Sequence, residues 1–133
     1  MDEVTVLAET EINPTEDEEK VETAVRNVLG KVSMAIKPQG KGSVLAAEAS
    51  GQDSLVKLRS LLRTDRIRDA ARKALFHSIK GNTISFCLNK QVAFAGHISF
   101  SEETAESPLG PIRVTIKSDN PRQLVDWLAE KTA

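Results

Sequence analysis

From Val4 to Ile12 the side chains alternate in character with a period of two: Val4, Val6, Ala8 and Thr10 fall on one side, Thr5, Leu7, Glu9 and Glu11 on the other. Successive strand residues point to opposite faces, so this pattern commits the segment to a half-buried strand. A helix would scatter the same residues around its axis. A sheet with one covered face is therefore the first constraint, and the rest of the chain must supply the cover.

The cover is written in the other period. Pro14 closes the strand, and Thr15 with Glu18 reads as a capping box that opens a helix. Glu16, Asp17, Glu18 and Glu19 put negative charge at the positive end of that helix's dipole, where such a run is a solvated dipole partner. Val21, Ala24, Val25, Val28 and Leu29 form one apolar stripe, which Gly30 terminates. Val32 to Ile36 and Ser43 to Ala49 read as strands, joined in a hairpin through Pro38-Gln39-Gly40-Lys41-Gly42. After Gly51, a helix from about Asp53 to Arg63 turns Leu55, Leu58 and Leu62 inward. Thr64 or Asp65 caps a further helix to about Ser78, with Ile67, Ala71, Ala74 and Leu75 on its core side.

Thr83 to Leu88 and Val92 to Phe100 read as strands around an exposed Asn89-Lys90-Gln91 turn. Ser101 to Ser107 reads as a polar, acidic loop, and Ser107-Pro108-Leu109-Gly110-Pro111 as a rigid lead-in to a strand at Ile112 to Ile116 or as a recognition loop. Asn120 and Pro121 open a last helix with Leu124, Val125 and Leu128 inward and Trp127 at the edge. The order β-α-β-β-α-α-β-β-β-α predicts a two-layer α+β fold, a mostly antiparallel sheet with helices packed on one face. At 133 residues, 40% of them hydrophobic, residues 1–133 are expected to form one domain with its own core.

Several function classes fall away at this stage. The longest apolar runs, such as Val44 to Ala47, are too short for a bilayer, and Asp2 and Glu3 do not suit a secretory leader. The lone Cys87 fits a reducing compartment and reads as an inert core thiol, so a cytoplasmic setting is expected. His77 and His97 are the only histidines, and no zinc-ligand spacing exists. Nothing in the spacing pairs Cys87 with either of them. Gly40-Lys41-Gly42-Ser43 lacks the spacing of a phosphate loop and opens a strand rather than a helix. The expectation is a non-enzymatic protein with no cofactor, no metal and no small-molecule substrate.

The charge pattern is more informative than the net charge of −1. The segment from Asp2 to Glu22 is acidic, whereas Lys57, Arg59, Arg63, Arg66, Arg68, Arg72, Lys73 and Lys80 face only Asp65 and Asp69 in the middle helices. Two readings fit. The basic residues are a solvated face balanced by the acidic first helix, or they form a surface that contacts backbone phosphate, joined by Lys90 from the turn. With no Tyr, one Trp and four Phe, stacking platforms for bases are scarce, so any nucleic-acid contact would be electrostatic and shape-reading.

Several stretches, in order along nearly the whole chain, resemble an archaeal family numbered 0201 among those of unknown function. They are Asn13-Pro14-Thr15-Glu16-Asp17 with Lys20-Val21, Leu58 to Leu62, Arg66-Ile67 with Asp69-Ala70-Ala71-Arg72, Leu88 to Phe94 with Gly96, Ser107 to Ile112, and Asp126-Trp127-Leu128. That family is grouped with an RNA-binding, exosome-subunit-like superfamily. The resemblance implies a fold similar to the fifth large-subunit ribosomal protein (L5-like), a homodimer, a cytosolic archaeal setting and a nucleic-acid role. It carries no catalytic residues across. The leading expectation is thus a non-enzymatic RNA-binding accessory protein whose Lys57, Arg59, Arg63, Arg66, Arg68, Arg72, Lys73 and Lys90 contact the RNA backbone. The second is a homodimeric protein-interaction module of unknown partner with no nucleic-acid role, whose sheet edge or exposed face pairs with itself or with that partner.

Overall fold

The alternating segment forms strand β1, Val4–Ile12, with Val4, Val6, Ala8, Thr10 and Ile12 buried and Glu9 and Glu11 exposed. Here and below the structure is a computed structural model that describes residues 3–101 and 110–131. The expected acidic loop beyond Ser101, and the lead-in up to Leu109, lie outside the described residues.

Helix α1, Glu18–Leu29, buries the five residues of its stripe, and Gly30 ends it at φ 73. Its cap differs from the expected one. Asp17, in extended geometry, accepts the Glu19 N–H at 2.9 Å, because a turn closed by Glu16 N–H to Asn13 O at 2.9 Å carries the chain past Thr15 before the helix begins. Strands β2, Ser33–Gln39, and β3, Gly42–Ser50, form the hairpin. Gln39 pairs with Gly42, leaving Gly40-Lys41 as a two-residue turn, and Gly40 supplies the positive φ of 60 that such turns need.

A single 3-10 turn, Gln52–Leu55, leads into α2, Val56–Thr64, and then α3, Arg68–Ser78. Neither Thr64 nor Asp65 caps α3: Thr64 is the last residue of α2, and the Asp65 carboxylate accepts the Ile98 N–H at 2.8 Å instead. Arg66 takes the left-handed conformation, φ 57, at the corner between the helices. On α3 the buried residues are Ala71 and Leu75, while Ala74, expected inward, is exposed.

The largest correction follows strand β4, Thr83–Asn89. The expected exposed turn and long strand are a short helix, α4, Lys90–Phe94, followed by a two-residue strand β5, Phe100–Ser101. The side chain of Asn89 accepts the Val92 N–H at 2.9 Å, a helix cap that wins over the apolar alternation from Val92 to Phe100. Strand β6, Pro111–Ser118, and helix α5, Pro121–Leu128, complete the chain, with Asn120 accepting the Gln123 N–H at 3.1 Å.

The six strands form one antiparallel sheet in the order β2-β3-β1-β6-β4-β5. One face, with Val6, Leu45, Ile84, Leu88, Ile112 and Ile116, shares a single buried cluster with Val25, Leu58, Leu62, Leu75 and Leu124 of the helices. The opposite face carries Leu7, Glu9, Ala46, Glu48, Arg113 and Thr115 and is lined by no described helix. The two-layer α+β expectation is met. β2 lies at the sheet edge, the position where Pro38 is tolerated.

At the mouth of the hairpin the backbones close tightly. A Cβ on Gly42 would lie 2.4 Å from the Ile12 carbonyl oxygen, which is backbone and cannot swing aside. Gly42→Ala is expected to cost about 1–3 kcal/mol, the usual effect of overpacking. Urea denaturation checks this, and an unchanged midpoint would mean that β1 and β3 part there easily.

Candidate nucleic-acid interface

Helices α2, α3 and α5 meet at one end of the helical layer, and their polar flanks bring arginines together. Leu58 and Leu62 turn inward on α2, which leaves Arg59 and Arg63, four residues apart, on a common flank. Arg59 donates through Nε to the Trp127 carbonyl at 2.9 Å, ion-pairs with Glu130, and lays its guanidinium 5.1 Å from the Trp127 ring centre. On α3, Arg72 donates to the Ala129 carbonyl at 3.2 Å, ion-pairs with Asp126, and sits 4.7 Å from the Phe76 ring centre. Arg122 of α5 approaches that same ring at 5.1 Å. Such cation–π contacts, each worth on the order of 0.5–1 kcal/mol at exposed sites, hold the guanidinium planes in fixed orientations.

The Glu130 carboxyl is held below its ordinary value, first by the Arg59 hydrogen bond and charge, with Arg63 and Arg68 adding their attraction. One carboxylate thus feels three arginines from two helices. Arg63 and Arg66 are exposed and Arg68 is half-exposed, and none of them forms an ion pair within 4 Å among the described residues. Lys57 and Lys73 are exposed too but lie apart. Lys57 borders a groove with Lys31, Ser33, Ser50 and Ser54, beside Gly30, and Lys73 is rotated about 100° around α3 from Arg72.

Two sequence expectations change here. The middle helices are not balanced by the acidic first helix. Their carboxylate partners are Asp126 and Glu130, which with Arg122 recur every fourth residue from the start of α5, a spacing visible in the sequence. Lys90 is no surface residue. It is 3% exposed, and its Nζ donates to the Glu11 carbonyl at 2.6 Å and to Glu16 at 3.1 Å. Its amino group faces inward, so Lys90 leaves the set of phosphate-contacting candidates. Glu16, read as part of a solvated acidic run, is its buried counter-ion and also accepts both Asn13 N–H and Asn13 Nδ2.

Removing one member of a buried pair strands the other. Lys90→Ala is expected to cost about 3 kcal/mol, the low end for such pairs because Glu16 keeps its Asn13 hydrogen bonds. Chemical denaturation reads this directly, and a loss under about 1 kcal/mol would place the pair among solvated surface bridges.

Among the described residues, no group of three or more His, Cys, Asp or Glu side chains is placed to hold a metal ion. Cys87, expected in the core, is half-buried and projects from the opposite face of β4, in register with Arg113 and Ser101. His97 Nδ1 lies 3.1 Å from the Asp65 carboxylate. Burial pushes the Asp65 carboxyl up, but the Ile98 N–H, the His97 hydrogen bond and the His97 charge outweigh it and bring it below its ordinary 3.8. A carboxyl depressed in the folded state stabilises above its unfolded pKa and loses that contribution as pH falls through the folded one. Asp65→Asn should therefore be less stable than the parent by about 1–2 kcal/mol at neutral pH. The gap should close as pH falls below the ordinary carboxylate range, and thermal melts across that range check it; a gap independent of pH would rule out the charge as its cause.

Comparison with known proteins adds an independent line. Residues 5–118 match a family model described as RNA binding. A UPF0201 protein from Sulfurisphaera tokodaii is 46% identical over 128 residues, which cover 96% of this chain and 88% of that one. A UPF0201 protein from Sulfolobus acidocaldarius is 48% identical over the same shares. The crystal structure of a UPF0201 protein from Methanococcus jannaschii superposes with a TM-score of 0.84 at 29% identity, covering 94% of this chain and 98% of that one. A DUF54 protein from Archaeglobus fulgidus, at 20% identity and a TM-score of 0.70, covers 98% of both chains and shares the fold.

Proposed function

The chain belongs to the archaeal UPF0201 family and to the family described as RNA binding, and from that premise we propose that it is a non-enzymatic accessory protein that binds RNA. Contact is made with backbone phosphate through the corner between α2 and α3. The observation that carries this reading is that Arg63, Arg66 and Arg68 flank the corner between α2 and α3, solvent-accessible and with no ion pair within 4 Å among the described residues, Glu130 attracting Arg63 and Arg68 only at longer range. Arginine forks suit phosphate because they donate two parallel hydrogen bonds to it. Arg68 opens the first turn of α3, at the positive end of that helix's dipole. Asp69 is the acidic residue of that turn and opposes the effect in part.

Arg59 and Arg72 act in this reading as a braced frame rather than as free contacts, because their donors are already engaged with α5 and the residues after it. Lys57 and Lys73 extend the positive field to either flank. A second reading is favoured by the uncovered sheet face, where Glu9 on β1 lies in register beside Arg113 on β6. A two-fold-related copy would set carboxylates against cations there, giving the homodimer without a nucleic-acid role.

The test is affinity for a structured RNA across salt. The parent should bind with a steep decline in log affinity against log salt. Replacing Arg63, Arg66 and Arg68 together by Gln should flatten that slope by roughly three, one for each phosphate that is no longer neutralised. An unchanged slope would exclude this corner. A protein that forms a dimer at low salt yet retains no RNA would favour the second reading.

A further inference from the structure

Building on the RNA reading above, we infer that the RNA taken at the α2–α3–α5 surface is double-helical, gripped along its phosphates, and that unpaired strands are poor ligands. The reason lies in what occupies the aromatic rings. Proteins that hold single strands stack successive bases on ring faces, each worth about 1–3 kcal/mol. This chain has five rings, one Trp and four Phe, and no Tyr, and all five lie among the described residues.

Two of them border the arginine surface, and both are taken. Arg59 lies over Trp127 and is itself fixed by Glu130 and the Trp127 carbonyl. Phe76 receives both Arg72 and Arg122. Where a single-strand platform would present rings, this surface presents guanidinium groups lying on rings. Phe86 and Phe100 pack on each other, centroids 5.6 Å apart, against the core. Phe94, at 45% exposure, is the accessible ring, and it lines a groove where Glu16 and Asp17 offset Lys90 and Lys20, so no net positive field gathers a phosphate backbone beside it. The uncovered sheet face, the place where a sheet-based single-strand reader would stack bases, carries Leu7, Glu9, Ala46, Glu48, Arg113 and Thr115 at its centre and no ring.

Rigidity points the same way. Arg59 and Arg72 are immobilised before any ligand arrives, each by a backbone carbonyl, a carboxylate and a ring. They brace the corner that carries Arg63, Arg66 and Arg68, and a backbone of set geometry there suits a partner whose phosphates are themselves at fixed spacing, because less must be ordered on binding. A duplex meets that condition, whereas a flexible strand must be ordered phosphate by phosphate with no stacking to compensate.

The experiment compares a perfectly paired RNA duplex of about 16 base pairs, the span that double-stranded-RNA readers cover, with one of its strands chosen to be unstructured, by fluorescence anisotropy at matched salt. The full chain and its Phe94→Ala variant are both measured. The duplex should bind at least about tenfold more tightly, and Phe94→Ala should leave both affinities as they were. A single strand bound as well as the duplex, or single-strand affinity lost with Phe94, would overturn the inference while leaving RNA binding intact. Failure of both RNAs to bind at low salt would overturn the RNA reading itself and this inference with it.

Discussion

The architecture depends on β1 being paired on both sides. Its register with β3 and with β6 sets the position of four strands, because β2 hangs on β3 and β4 on β6. A slip of one residue would turn Val4, Val6, Ala8 and Ile12 to the open face and drive Glu9 and Glu11 into the core. The pairing is locked at its far end by two long-range polar contacts. The Thr10 hydroxyl donates to the Pro111 carbonyl, and the Lys90 ammonium to the Glu11 carbonyl, so the strand, the start of β6 and the start of α4 are fastened at one place. Position of the helices follows, since the apolar stripes of α1, α2, α3 and α5 have only one buried face to cover.

Where function is concerned, the helical end of the molecule separates two kinds of arginine. Arg59 and Arg72 knit α2 and α3 to the chain's last turn through Trp127, Asp126, Ala129 and Glu130. Arg63, Arg66 and Arg68 remain turned to solvent beside them. The braced pair also fixes where the free ones sit, because it decides how α2 and α3 meet α5. In the reading proposed above, structural and ligand-contacting roles are therefore divided among residues of one type within a short stretch of sequence.

Local chemistry made much of this legible. β1 was readable to the residue because its period is unambiguous, α5 because its cap residue and stripe agree, and α1 in its stripe and terminator though not in its cap. Failure came where two local signals compete or where the decisive partner is far along the chain. Val92 to Phe100 alternates like a strand, yet Asn89 opens a helix there, and sequence pattern alone does not rank a cap against an alternation. Lys90 in a polar tripeptide looks exposed until Glu16, 74 residues earlier, is seen to face it. The partners of Arg59 and Arg72 are likewise 71 and 57 residues away, beyond any spacing rule. Charge sums could not distinguish the arginines that are tied from those that are free, because that division is made by packing.

The sheet edge at β2 has a consequence for how copies of this chain meet when crowded, the condition under which open strand edges zip together into aggregates. Here Pro38 interrupts the ladder of donors along that edge, and the exposed Lys31, Lys37 and Lys41 repel a second edge that carries the same charges. Copies can therefore crowd together without their sheets joining edge to edge.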